Sequence, residues 1–194
     1  MWKDNILSLL SGIGRIDIQD QNSLDNYRAR LLESVENIRN LLLLDKKVKH
    51  SKYSIHLMVF AFVSYCDEKL NIAAFSNKLR YQPLQYSVFS VSNSGDVFYD
   101  YLEDILCNDN YSEGVLWTYT LVLKLGFLGK YSEKTAYKRS LFIKQLEKKG
   151  KETLSLVDDK KKKVKKGKLV IPPFILWLIP VVVSVIIFGY VSII

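Results

Sequence analysis

Tyr53-Ser-Ile-His-Leu-Met-Val-Phe-Ala-Phe-Val-Ser-Tyr-Cys66 is apolar on almost every face that a helix would present. A helix of that kind has to be enclosed, by protein or by lipid. Its 14 residues fall short of the roughly 20 that a membrane crossing needs, and it carries His56. It reads as the central buried helix of a bundle, so the segments on either side must supply the enclosing layer.

Working outward, Leu24, Tyr27, Leu31, Val35, Ile38 and Leu42 recur three or four apart, which predicts a surface helix with one apolar stripe and Asn22 or Ser23 as its cap. Lys46-Lys47-Val48-Lys49-His50 separates it from the central helix. Ile6–Gly14 reads as a short amphipathic helix and is not expected to be a secretory leader: Lys3 and Asp4 cancel before it and no small-residue cleavage site follows. On the other side, Asp67-Glu68-Lys69 is expected to end the central helix, and Pro83 to divide Asn71–Phe89 into short pieces. Ser92-Asn93-Ser94-Gly95-Asp96 reads as a turn. Helical spacing resumes over Val97–Cys107, then over Val115–Leu125 after a start at Ser112 and Glu113, with Gly126 as the stop. Ser132 and Glu133 open a last helix that fades around Gly150. No strand pattern and no internal repeat competes within Met1–Asp159. The expected class is all-α.

The C-terminal region is of another character. Residues 169–194 contain no Asp, Glu, Lys, Arg or His. As a helix these 26 residues would extend roughly 39 Å, against about 30 Å of hydrocarbon. One transmembrane helix is therefore expected over 169–194, with a kink at Pro180 and with Trp177 and Tyr190 towards opposite interfaces. Immediately before it stand Lys160, Lys161, Lys162, Lys163, Lys165, Lys166 and Lys168. A lysine block beside a span keeps that side in the cytoplasm and suits anionic lipid headgroups. This gives three parts: a cytoplasmic helical domain over 1–150, a lysine-rich linker over 151–168 and an anchor over 169–194, in a single-pass membrane protein. With the chain leaving the bilayer as it ends, nothing catalytic is expected on the far side.

Charge excludes one class of partner. The net charge is +8, but without those seven lysines the chain has 21 basic against 20 acidic residues. No basic face remains for nucleic acid, and proximity to the span accounts for the lysine block more economically than RNA binding or nuclear import.

Catalytic patterns are missing. Cys66 and Cys107 stand 41 positions apart without metal or redox spacing and are expected to be buried free thiols. His50 and His56 have no acid or thiol partner by spacing, no nucleophile or zinc motif occurs, and no cofactor or metal is expected. Two features stand out. Asp67-Glu68 lies at a helix C-terminus, where the macrodipole disfavours negative charge. Either Asp67 caps the next helix, or an internal Lys or Arg holds the pair, or the pair is offered to a partner. Gly126-Phe127-Leu128-Gly129-Lys130-Tyr131 is an aromatic-rich turn, built for tight packing or for binding.

These features resemble the DotU/TssL (IcmH-like) family of bacterial secretion systems. That family shows an apolar helix ending in Asp-Glu, then Gly-acidic-Phe-Phe, then Leu-x-Leu-Gly-Phe-x-Gly-Lys/Arg-Tyr. The counterparts are Val59–Glu68, Gly95-Asp96-Val97-Phe98-Tyr99 and Leu123–Tyr131, in the same order and followed by the membrane helix. Trp117 stands where an acid is common, Ser132 where an Arg is common, and Asn71–Leu84 lacks the family's tryptophan-containing segment. The resemblance implies a cytoplasmic domain of two packed helical bundles forming a hook. It also implies an inner-membrane protein with a structural role, not an enzymatic one, in a type VI (or type IVB) apparatus, with an IcmF/TssM-like membrane partner, a baseplate component and a second copy of the chain as candidate partners. Asp67, Glu68, Phe127, Lys130 and Tyr131 are the residues expected to meet them. The alternative reading is a generic tail-anchored adaptor that acts through its basic juxtamembrane segment.

Overall fold

A computed structural model describes residues 2–13, 18–45, 51–131, 133–135 and 137–165, with side chains described up to 152 apart from 133. Seven α-helices make up the described residues, with no strand among them: α1 (Trp2–Ile13), α2 (Gln21–Leu44), α3 (Lys52–Ser76), α4 (Leu84–Phe89), α5 (Ser94–Cys107), α6 (Glu113–Lys124) and α7 (Tyr137–Lys165), plus a 3₁₀ turn at Glu133–Thr135. The expected anchor over 169–194 lies outside the described residues. Among the described residues no helix is long and apolar enough to cross a membrane.

The quoted segment is the centre of the fold. Every side chain from Leu57 to Asp67 is buried, and α1, α2, α4, α5 and α6 all pack against α3. The compact unit is Met1–Leu154, and residues from Ser155 onward form a second unit. Within the first, apolar side chains from Trp2 to Leu146 form one continuous cluster. The two bundles implied by the resemblance therefore do not have separate cores.

Helix ends account for most departures from the sequence reading. Asp20, not Asn22 or Ser23, caps α2: the Ser23 backbone N–H donates to its Oδ1 at 2.8 Å. Lys69 does not end α3, which runs on to Ser76 and closes with Leu79 N–H donating to the Ala74 carbonyl at 2.8 Å. That closure puts Lys78 at φ +55°, a left-handed position where glycine is usual, so the stop has no glycine to announce it. Ser94-Gly95-Asp96 is the first turn of α5, not a separate turn. Nor does α7 fade at Gly150; it runs unbroken from Tyr137 to Lys165, across the expected domain boundary. Gly126, by contrast, stops α6 as expected, at φ +97°, with Gly126 and Phe127 N–H groups donating back to Leu123 and Val122. Cys66 is buried, but Cys107 is exposed.

α1 adheres through Trp2, Ile6, Leu10 and Ile13, at about 2 kcal/mol of burial each before ordering costs. The Trp2 and Trp117 rings meet edge to face at 5.5 Å, and Lys3 pairs with Glu113 at 3.1 Å. Near the start of α3, His56 lies among Tyr53, Phe60, Phe89 and Tyr101, with Nε2 3.3 Å from the Tyr101 hydroxyl. Burial, and secondarily the Arg39 charge, pushes its pKa below the ordinary value. The unfolded chain then takes up this proton at a higher pH than the native one, so the domain loses stability as pH falls from about 6.5 towards the native value. Thermal melts at pH 7.5 and 5.5 should show a smaller acid-induced drop in His56→Phe than in the parent. An identical drop in both would contradict this.

Candidate functional site

The acidic pair lies within α3, two turns before its end, and each carboxylate secures a different loop. Asp67 is 5% exposed. Its Oδ1 accepts from the Leu84 N–H at 2.7 Å and from the Tyr81 hydroxyl in a short hydrogen bond, and its Oδ2 accepts from the Gln85 N–H at 2.8 Å. Leu84 and Gln85 open α4, whose own N-cap, Pro83, provides no side-chain cap. Asp67 thus satisfies the orphan donors of a helix that starts 17 residues later in the chain. Of the three readings of the pair, capping describes this residue. Burial pushes its carboxyl upward, while bonds from Tyr81, Gln85 and Leu84 and the charge of Arg28 pull it back. Arg28 steadies the same segment, donating to the Gln82 carbonyl and the Ser87 hydroxyl, each at 2.7 Å.

Glu68 does for the Gly126–Tyr131 turn what Asp67 does for α4. Its Oε2 accepts from the Leu128 N–H at 3.0 Å and the Gly129 N–H at 2.8 Å. Its Oε1 is buried without a hydrogen bond, 3.5 Å from the ammonium of Lys69. That separation gives charge attraction without hydrogen-bond geometry, so Oε1 is neutralised but not saturated.

Gly95 adds a third attachment. A Cβ on Gly95 would sit 3.0 Å from the Gly129 carbonyl carbon, and one on Gly129 3.0 Å from the Gly95 oxygen and 2.9 Å from the Phe127 ring. Backbone meets backbone there, which only two glycines allow. Around this crossing, Phe98 packs on Phe127 and Tyr99 on Tyr131, each pair with ring centroids 4.5 Å apart. The three motifs read from the sequence, around residues 67, 95 and 127, thus form one assembly.

Between α3, the start of α4 and the start of α5 lies a cleft of about 260 Å³, with Ser64, Asp67, Glu68, Asn71, Gln85 and Ser94 among its lining. Sequence reasoning missed Gln85, whose Oε1 is buried without a partner. Nothing in the local pattern marks it, because it enters the site only through the Asp67 cap. Of the five residues expected to meet partners, Asp67 and Phe127 are buried and Tyr131 is half-buried. Lys130 is exposed, 3.8 Å from Asp100 and over the rings of Tyr99 and Tyr131. No group of His, Cys, Asp and Glu among the described residues could hold a metal ion.

Against families of known proteins, the model described as "Type VI secretion system protein DotU" matches residues 4–194. The chain belongs to the DotU family. This DotU-family chain shares its fold with solved structures, all at low identity. DotU from Francisella novicida is 23% identical, with a TM-score of 0.67 over 76% of this chain and 96% of that one. The cytoplasmic domain of TssL from Acinetobacter baumannii is 20% identical, with a TM-score of 0.63 over 78% and 96%. SciP/TssL from enteroaggregative Escherichia coli 042 is also 20% identical, with a TM-score of 0.54 over 75% and 82%. No curated protein matches the sequence. The family places this DotU relative among the structural components of type VI secretion.

Proposed function

We propose that this chain is a scaffold of a type VI secretion apparatus, anchored in the inner membrane by residues 169–194 with its helical domain in the cytoplasm. There it binds an IcmF/TssM-like membrane partner and recruits the baseplate. The observation that carries the proposal is the convergence of the three family motifs on one cleft, where Asp67 caps α4 while Glu68 and a glycine crossing hold the Gly126–Tyr131 turn in a set shape. A surface that rigid presents contact groups with little ordering cost on binding. Asp67 and Phe127 shape it from beneath, and Glu68, Lys130 and Tyr131 form the rim that partners touch. Lys160–Lys168 would rest on anionic headgroups.

Glu68→Gln and Lys130→Glu test this. The glutamine keeps an oxygen for the Leu128 and Gly129 N–H groups, so the fold should survive in both variants. Pull-down of the IcmF/TssM-like partner or of the baseplate component should fall about tenfold, equivalent to roughly 1.4 kcal/mol. Unchanged recovery of both partners with two folded variants would remove the rim from the interface.

A further inference from the structure

The cleft between α3, α4 and α5 is short of hydrogen-bond donors. Gln85 Oε1 and Glu68 Oε1 are both buried without a hydrogen bond among the described residues, and both residues line the cleft. Gln85 is only 6% exposed, so bulk water does not make good the deficit. Charge points the same way: Asp67 and Glu68 are in the lining, and no Lys or Arg is. Lys69 stands 3.5 Å from Glu68 Oε1, which leaves that oxygen able to accept from a better-placed donor. Buried acceptors left unmet are costly, so a guest that brings donors gains more here than on open surface.

Beside the cleft the surface turns apolar. Phe75 is 84% exposed and Ile72 54%, both in the last turns of α3. The helical repeat sets them next to the lining residues. Ile72 follows Glu68 by four residues, and Phe75 follows Asn71 by four, so all of them share one face of α3. Phe75 stands roughly 6 Å along the axis from Asn71, and helical side chains lean towards the N-terminus, which tips its ring back to the cleft. An apolar landing beside a cleft with negative charge suits a protein segment, not a lone cation. Its apolar part rests on α3 and a cationic side chain enters. Arginine fits that role better than lysine: its planar guanidinium brings five donors in a fixed fork and gives up its hydration more readily. The broad end torsion of glutamine lets the Gln85 oxygen turn to such a guest at little cost.

We infer that the cleft receives an arginine side chain of a protein partner, with Ile72 and Phe75 as the apolar landing for the residues around it. This rests on the scaffold reading, and the test separates the two. The full chain in detergent micelles, carrying nitrogen-15 in its glutamine side chains, is titrated with N-acetyl-arginine methylamide and with its citrulline counterpart, which has the same length and no charge. The Gln85 amide signal, assigned by its loss in Gln85→Leu, should shift with arginine and not with citrulline. No shift with either compound, or equal shifts with both, overturns the inference. Gln85→Leu and Phe75→Ser are also compared with the parent in pull-down of the IcmF/TssM-like partner and of the baseplate component. Leucine fills the place of glutamine without an unmet acceptor, so that variant should melt no lower than the parent. Serine at 75 replaces a ring that lies outside the core. Recovery of one partner should fall about tenfold with Gln85→Leu and several-fold with Phe75→Ser. Undiminished recovery of both partners by both variants overturns this inference and leaves the scaffold reading standing. A parent that recovers neither partner overturns that reading and this inference with it. A Gln85→Leu chain that melts well below the parent makes Gln85 a structural residue, which also overturns it.

Discussion

Asp67→Ala should lower the stability of the helical domain by about 3 kcal/mol, because it strands two backbone N–H groups and a tyrosine hydroxyl in a buried site at once. Each charge-assisted bond of this kind is worth about 1.5–3 kcal/mol, and loss of a helix cap alone costs about 1 kcal/mol. The donors are those of Tyr81, Leu84 and Gln85. For a domain of this size the midpoint of thermal unfolding should fall by roughly 6–12 °C. Asp67→Asn, which keeps one acceptor oxygen, should lose clearly less. If alanine and asparagine melt together with the parent, the cap is not structural. Reversing Asp67 to lysine would place an ammonium against three donors, so it would report on folding and not on partner binding. Glu68→Gln is the cleaner probe of the rim.

Gly129→Val should cost about as much, by a different route. Gly129 has φ +55°, which a β-branched residue adopts only at about 1–2 kcal/mol or more. Its new Cβ would stand 2.9 Å from the Phe127 ring and 3.0 Å from the Gly95 oxygen. The Gly95 backbone cannot retreat without dragging the first turn of α5. A total near 3 kcal/mol is expected, with the Gly126–Tyr131 turn displaced from Glu68. Amide hydrogen exchange at Leu128 and position 129 reads the displacement directly, since both amides are now protected by the Glu68 carboxylate. Unchanged protection in the variant would contradict the crossing.

Features carried by neighbouring residues are legible in the sequence, and those that are not have a common cause. The stripe of α2 announced itself because Leu24, Leu31, Val35, Ile38 and Leu42 repeat at helical spacing and are all buried. The stop at Gly126 announced itself because a left-handed residue there is a glycine. The end of α3 did not, because Lys78 takes the same conformation without being one. Asp67-Glu68-Lys69 looked like a terminus because it closes the apolar run, and the pair then stood out because the macrodipole disfavours negative charge at a helix C-terminus. Here the charges are answered by N–H groups from residues 84, 85, 128 and 129, donors far along the chain that no local window contains.

The sequence alone determined that the protein is helical, that Tyr53–Cys66 lies at its centre, and which family it belongs to. Each of these is a matter of periodicity, composition or motif order, quantities carried by residues near one another. Only the tertiary structure decided what the acidic pair does, that Gly95 and Gly129 must both be glycines, and that Gln85 belongs to the cleft. Those depend on hydrogen bonds and close approaches between segments tens of residues apart, and such contacts exist only once the chain has packed around α3.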